Sequence, residues 1–137
     1  MHDWATLNAA VIDEFRTYGG RVERFGDLPV VIVHAIGART GEVRETPLIP
    51  VFDDEEMLLF GTAAGSQSDP AWCHNLRAHP RVSVEYGTEC FVAEVVELST
   101  ERAERIVAAR TPGTPQLAEY VASAAPRRIP VFSVSRV

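Results

Sequence analysis

The sequence predicts an α+β fold in which about six mainly antiparallel strands form a barrel, with short helices at its ends and in its middle. Runs rich in β-branched residues recur along the chain, as in Val30-Val31-Ile32-Val33. Apolar residues at helical spacing are confined to a few short segments. Strands and helices do not alternate regularly, which argues against a doubly wound parallel sheet.

The first predicted element is a helix over residues 3–18, and the barrel should follow over residues 28–137, so that residues 1–137 form one domain. Asp3 or Thr6 is a candidate cap, and Gly19-Gly20 ends the helix. Its apolar stripe consists of Trp4, Leu7, Val11 and Phe15.

A turn at Gly37–Gly41 separates the first strand from a second one over residues 44–52. Pro47 and Pro50 lie inside this second strand. Proline cannot donate to a strand ladder, so the strand should be bulged or lie at a sheet edge there.

The acidic residues 53–56 form the next turn, and Met57–Thr62 form the third strand. Asp69 is predicted to cap a short helix with Pro70 at its first position, and His79-Pro80 should end that helix. The remaining predicted elements are a hairpin of residues 82–86 and 89–98 around Gly87-Thr88, a helix over 101–110 capped by Thr100, a helix over 116–124, and a strand over 129–134.

Charge and composition exclude several classes of protein. With 13 basic and 19 acidic side chains the net charge is −6, which argues against a broad nucleic-acid interface. No apolar run reaches the length of a membrane span. Cys73 and Cys90 lack metal-ligand spacing and should be reduced, largely buried thiols of a cytoplasmic protein.

Three features are candidates for chemistry. Arg39 and Arg44 flank the glycine turn, where guanidinium groups and backbone N–H groups suit an anion, although on spacing alone a solvated hairpin tip is the favoured interpretation. Asn75 lies on the middle helix and can hydrogen-bond a heterocycle, although that helix also simply packs into the core. The hydroxyl of Tyr120 can donate to a substrate, or it can be the wet tip of a buried ring. His34 is expected to be a hydrogen-bonded core residue, and no histidine pair has metal-site spacing.

Four ordered blocks together carry a resemblance to a known family. They are Asn8-x-x-Val11-Ile12-x-Glu14-Phe15-Arg16-x-x-Gly19-Gly20, Gly37-Ala38-Arg39-Thr40-Gly41-x-x-Arg44-x-Thr46-Pro47-Leu48, Pro70-Ala71-Trp72-x-x-Asn75-Leu76 and Tyr120 with Arg128-Ile129-Pro130-Val131. With these blocks, nearly the whole chain resembles the deazaflavin-dependent nitroreductase family, whose members are flavin/deazaflavin oxidoreductases with a split β-barrel fold.

The resemblance implies the 8-hydroxy-5-deazaflavin coenzyme, coenzyme F-420. It assigns the coenzyme's phosphate and tail to Ala38, Arg39, Thr40, Arg44 and Glu45, and its ring to Thr46, Pro47, Leu48 and Ile49. It completes the coenzyme site with Phe60, Gly61, Thr62, Ala63, Ala71, Trp72, Cys73, His74 and Asn75. Tyr120 matches a family tyrosine close to both ring and substrate, and is the candidate catalytic residue.

The resulting hypothesis is an oxidoreductase that passes a hydride from the reduced coenzyme to a quinone, a nitro compound or another conjugated small molecule. Two alternatives remain open, namely a reductase that binds flavin mononucleotide (FMN) on the same barrel, and a non-catalytic deazaflavin carrier. Edge strands and the apolar stripe of the first helix are compatible with a homodimer.

Overall fold

The computed structural model of the protein describes residues 4–137, with side chains from Thr6 onward. Within this range the helices are α1 (Trp4–Thr17), α2 (Ala71–Ala78), α3 (Thr100–Arg110) and α4 (Pro115–Ala124). The strands are β1 (Val31–Ile36), β2 (Val43–Leu48), β3 (Val51–Asp53), β4 (Glu56–Phe60), β5 (Arg81–Tyr86), β6 (Glu89–Glu97) and β7 (Val131–Arg136). None of the helices in residues 4–137 is both long enough and apolar enough to cross a bilayer.

The strands form one antiparallel sheet in the order β2-β1-β5-β6-β7-β4-β3. Strands β2 and β3 lie at opposite ends of this order, yet they are joined by only Ile49 and Pro50. The chain therefore leaves one edge of the sheet and immediately joins the other, so the sheet curls towards closure as a split barrel. The predicted α+β barrel is confirmed.

The second predicted strand, over residues 44–52, is wrong as a continuous element, and this is why seven strands form instead of six. Pro50 is buried at the break between β2 and β3. Because proline has no N–H to donate, a continuous ladder is disfavoured at this point. Pro47 lies within β2 opposite Ile32, and β2 is an edge strand, as the prolines predict.

Alternate strand residues and one face of helix α2 fill the barrel interior. Val31, Val33 and Ala35 of β1 are fully buried there. Trp72 of α2 packs its ring against Phe132 of β7, with 5.5 Å between ring centroids. Helix α2 therefore plugs the barrel, and its own side chains are positioned by the core.

Helices cover two parts of the outer surface. Val11, Ile12 and Phe15 of α1 pack against Ile32 of β1. Helices α3 and α4 form a second layer over Leu58 and Val131. Within the described side chains, Val11 and Phe15 of the predicted stripe are therefore buried against their own chain, and Leu7 is half-buried.

The end of α1 agrees with the sequence prediction. Gly19 and Gly20 both have positive φ, and the N–H of Gly20 donates to the carbonyl of Phe15 at 2.8 Å. A Cβ at Gly20 would meet the backbone of Gly87, in the β5–β6 hairpin, at 2.7 Å. Glycine is thus required by the turn and by the close approach. The candidate cap Asp3 lies outside the described residues, and the alternative cap Thr6 lies inside the helix.

Two predicted helix caps are wrong. Asp69 does not cap α2, because its carboxylate pairs with Arg77 and Arg127, and Pro70 precedes the helix. Thr100 is the first residue of α3, and Ser99 caps that helix by accepting from the N–H of Arg102 at 3.2 Å.

The cysteine prediction is half correct. Cys73 is buried and Cys90 is exposed, and both are free thiols. Burial, with a smaller contribution from Asp69, raises the pKa of the Cys73 thiol to about 12. Cys73 therefore stays a neutral core residue at physiological pH.

Candidate functional site

A groove of about 780 Å³ follows the seam where β2 gives way to β3. Residues 47–52 line it along the seam, and Leu59 and Phe60 of β4 join them. Helix α1 with residues 24–30 contributes further lining, as does α4. The volume lies within the range of small-molecule sites, and the lining is mainly apolar.

Seven of the residues predicted to bind the coenzyme line this groove. They are Pro47, Leu48, Ile49, Phe60, Thr62, Trp72 and Tyr120. The structure brings them together from β2 and the link after it, β4 and the loop after it, and helices α2 and α4. Three of the four residues assigned to the coenzyme ring, Pro47, Leu48 and Ile49, therefore share one concave site with Tyr120 of α4, and Thr46 lies outside its lining.

The turn at Gly37–Gly41 lies at the other end of β2 from the seam. Arg39 is exposed, and Arg44 is 60% exposed with only a 3.5 Å contact to Glu42. Thr40 stays within the turn, where its hydroxyl accepts from the N–H of Glu42 at 3.2 Å. Arg44 precedes Pro47 by three residues, which is about 10 Å along an extended strand.

Asn75 of α2 holds this turn in place. Its side-chain oxygen accepts the N–H of Ala38 at 3.0 Å. Asn75 thus acts on the turn, where the sequence suggested a contact with a heterocycle. Ala71 and His74 of the same helix are exposed outside the groove lining, and Cys73 faces the core.

Strand β2 divides its polar residues between two faces. Arg44 and Thr46 lie opposite Ala35 and Val33, on the face of the barrel interior. Glu45 lies opposite His34 on the other face, because neighbouring strand residues alternate. The structure therefore separates Glu45 from the arginines with which it was grouped.

Glu45 belongs to an ion-pair cluster under helix α1. Arg16 pairs with Glu45 and with Glu85, and His34 Nε2 lies 2.7 Å from Glu85 Oε2. The hydrogen bond from Arg16 holds the pKa of Glu85 below its usual value. The predicted hydrogen-bonded state of His34 is confirmed. His34, Glu45 and Glu85 are close enough to share a cation, but the Arg16 guanidinium already supplies the positive charge.

The loop after β4 has an unusual backbone. Ala63 and Ala64 adopt φ of 46° and 53°, and Gly65 adopts 82°. Gly61 is packed so closely that a Cβ there would meet Cys73 Sγ at 2.7 Å. Thr62 and Ala64 of this loop line the groove, whereas Gly61 and Ala63 support it from outside the lining.

Sequence reasoning missed one side of the groove and one nearly buried cation. The missed lining comes largely from α1 and the segment after it, with Leu7, Asn8, Val11, Arg24, Phe25, Leu28, Pro29 and Val30. Arg110, which donates to the carbonyl of Phe52 at 2.5 Å, was also missed. The missed cation is Arg127, which contacts the loop after β4. A group of apolar residues before β1 is visible in the sequence. Nothing local in the sequence, however, distinguishes Arg127 from the exposed Arg128.

Comparisons with known proteins identify the family of the chain and its structural relatives. The F420H(2)-dependent quinone reductase family profile matches residues 8–135. An F420H(2)-dependent quinone reductase of Mycobacterium tuberculosis is 33% identical over 66 residues, which are 48% of this chain and 44% of that protein. The match thus spans less than half the length of this curated relative.

Two solved structures extend the likeness. An F420-H2 dependent reductase (FDR-A) has a TM-score of 0.65 and 30% identity, covering 78% of this chain and 94% of its own. A domain-swapped dimer has a TM-score of 0.66 and 28% identity, covering 97% of this chain and 98% of its own. Because the family profile spans nearly the whole chain, the resemblance is confirmed, and the protein belongs to the F420H(2)-dependent quinone reductase family.

Proposed function

We propose that this protein binds reduced coenzyme F-420 along strand β2 and reduces a quinone in the seam groove. The observation that carries the proposal is the continuity of β2, which joins Arg39 of the Gly37–Gly41 turn and Arg44 of the strand to the groove at Leu48, on the same strand face as Arg44. The coenzyme combines an anionic tail with a planar ring, and these two ends of the strand offer matching environments.

The residues present fit that coenzyme. Arg39 has no ion pair among the described residues, and Arg44 has only a solvent-exposed 3.5 Å pair with Glu42, so both guanidinium groups are available to a phosphate. The groove is lined chiefly by apolar side chains, which suits a flat heterocycle, and Pro47 exposes no N–H that a ring would leave unpaired. When bound, the reduced coenzyme supplies the hydride.

The chain's own contribution is to position the reactants and move a proton. A quinone that takes up one hydride needs one proton to become a hydroquinone. Tyr120 lines the groove, and no described residue accepts a hydrogen bond from its hydroxyl, so that hydroxyl is available to a quinone oxygen. In the proposed reaction Tyr120 donates this proton or hydrogen bond, and solvent replenishes it.

The decisive experiment is a titration of the purified protein with oxidised coenzyme F-420, followed by fluorescence, with FMN titrated in parallel. We expect saturable binding of the deazaflavin and none of FMN. Quinone reduction by the loaded protein should then be measured against a nitro compound as competing acceptor. Binding of FMN alone would replace the proposal with a flavin reductase, and binding without turnover of any acceptor would indicate a carrier.

We further propose that the protein is a cytoplasmic homodimer. Val92 and Val96 are about half exposed on the outer face of β6, and the solved relative that covers most of the chain is a domain-swapped dimer. The exposed free thiol of Cys90 suits a reducing compartment. Light scattering of the wild type and a Val92→Glu variant tests the dimer, since only the wild type should have twice the mass of one chain.

A further inference from the structure

Arg127 forms a polar clamp on the loop after β4. Its side chain is 11% exposed. Nη1 donates to the carbonyl of Gly61 at 3.0 Å, and Nη2 donates to the carbonyl of Thr62 at 2.9 Å. Nε donates to the carbonyl of Ser66 at 2.9 Å. One guanidinium therefore fixes both ends of the segment 61–66.

The same guanidinium is balanced by charge. Nη1 also donates to Asp69 Oδ1 at 2.8 Å. Asp69 in turn lies 3.1 Å from Arg77, which binds Glu97 through two hydrogen bonds. Arg127 is thus committed to protein partners, and its role is to hold backbone rather than to attract an anionic ligand.

The clamped segment has a conformation that it would not adopt unaided. Ala63 and Ala64 have positive φ, a backbone region that is unfavourable for a residue with a Cβ. Such strain persists only where surrounding contacts impose it. The carbonyls that Arg127 binds flank these two alanines on both sides, so this side chain is the contact best placed to impose the strain.

The segment reaches the groove at Thr62 and Ala64. Thr62 is in the right-handed helical region and Ala63 is at positive φ, a sequence that orients successive backbone N–H groups towards one side. The N–H groups of Ala63 and Ala64 have no acceptor among residues 4–137. A change in this segment would therefore change both the shape and the donors of the groove.

We infer that Arg127 is a positioning residue, which keeps segment 61–66 in the conformation that receives the ring end of the coenzyme. The inference rests on the proposed function for the identity of the ligand. It adds a residue that does not line the groove and that acts only through the backbone it binds.

The test compares Arg127→Met with Arg128→Met. The two arginines are adjacent, but Arg128 is 70% exposed, and within the described part of the chain it pairs only with Glu104. Hydrogen exchange of the Gly65 and Ser66 amides is measured first, in protein without coenzyme. Both amides donate within the segment, to Thr62 and Ala63. We expect about tenfold faster exchange in Arg127→Met, as for loss of a charged hydrogen-bonding group, and no change in Arg128→Met.

Coenzyme binding and kinetics form the second readout. In Arg127→Met the dissociation constant and the KM for the coenzyme should rise about tenfold, while the KM for the quinone should stay within about twofold. If Arg127→Met does not fold, Arg127→Lys replaces it. Lysine keeps the charge but lacks the rigid fork, so we expect an intermediate loss of coenzyme affinity.

The two proposals fail in different ways. Wild-type protein that does not bind the coenzyme overturns the proposed function, whatever the variants do. Wild-type protein that binds it, with a folded Arg127 variant of unchanged affinity and unchanged amide exchange, overturns the role of Arg127 alone. Equal rises in the KM values for coenzyme and quinone would also overturn it, because they indicate general loosening of the fold.

Discussion

The two ends of the proposed coenzyme site are held in opposite ways. At the turn of residues 37–41, Arg39 and the nearby Arg44 extend into solvent, and the turn is tied to the barrel by the hydrogen bond from Ala38 to Asn75. At the loop of residues 61–66, a nearly buried Arg127 binds three carbonyl groups and a carboxylate. At the turn the guanidinium groups face solvent, whereas at the loop the guanidinium group binds protein atoms.

This difference suits the two parts of the proposed ligand. A charged, flexible tail can be bound by solvated guanidinium groups, which need no fixed geometry before the ligand arrives. A planar ring that must meet an acceptor needs walls that are already in position. An arginine near the proposed site can therefore contact a ligand or hold the protein backbone, and the exposure of its side chain distinguishes the two roles.

Substitutions at two glycines should give the largest difference between the loop and the turn. Gly65 and Gly41 both have positive φ, but a Cβ at Gly65 would meet Ser123 Cβ at 2.8 Å, while a Cβ at Gly41 would meet nothing within 4 Å. We expect Gly65→Ala to lower the free energy of unfolding by about 3 kcal/mol, from backbone strain and overpacking together. Gly41→Ala should cost about 1 kcal/mol, from strain alone. Urea unfolding measures both, and equal losses would contradict a packed loop and an open turn.

The next largest effect is expected for Tyr120, the candidate proton donor. Replacing Tyr120 with Phe should lower kcat for quinone reduction by about 100-fold, the lower end of a general-acid contribution, and leave coenzyme affinity unchanged. Tyr18, which is 66% exposed and does not line the groove, supplies the control Tyr18→Phe. Steady-state kinetics at saturating coenzyme provide the measurement. An unchanged kcat in Tyr120→Phe would leave Tyr120 as a wall of the groove without a proton to give.

The arginines of the turn should give a smaller effect of a different kind. Arg39→Ala and Arg44→Ala should each raise the dissociation constant of the coenzyme about fivefold, as for a solvated charge-assisted contact, with no loss of stability. Raising the salt concentration to about 1 M should remove most of the difference from wild type by screening. Arg21, which is exposed and outside the groove lining, provides the control Arg21→Ala. Wild-type affinity in both variants would remove the tail assignment.

Local patterns in the sequence were sufficient for most of the fold. Gly19-Gly20 ends α1 and Gly87-Thr88 turns the β5–β6 hairpin as predicted, because both features depend on neighbouring residues alone. The prolines of the second strand predicted an edge, but not that the chain would leave one edge and join the other at Pro50. That step depends on the order of all seven strands, which no local pattern contains.

The site was predictable where it follows the blocks that carry the family resemblance. Pro47 and Tyr120 line one groove as expected, whereas Glu45 faces Arg16 because strand residues alternate between faces. Asp69 is a residue type that commonly caps helices, but its carboxylate binds Arg127, 58 residues along the chain. Long-range ion pairs of this kind cannot be predicted from spacing, since they arise only when the barrel brings the two segments together.

The smallest expected effect concerns helix α1, which is held by partly exposed ion pairs, in contrast to the loop held by the nearly buried Arg127. The Arg16 side chain is 44% exposed and that of Glu85 is 16% exposed, and the hydrogen bond from Arg16 holds the pKa of Glu85 below its usual value. A carboxyl group whose pKa is lower in the folded state stabilises the fold above its unfolded pKa and loses that contribution as pH falls through the folded value. We therefore expect a stability loss of at most about 1 kcal/mol that sets in below pH 4.5 and is absent in Glu85→Gln. The control is Glu89→Gln, on the same hairpin as Glu85, which removes a carboxylate from an exposed pair with Arg136 of β7. Its stability should vary with pH as that of the wild type does. If chemical unfolding from pH 6 to pH 3 gave Glu85→Gln the wild-type profile, the Arg16 pair would contribute nothing to holding α1, and packing of Val11 and Phe15 alone would fix this side of the groove.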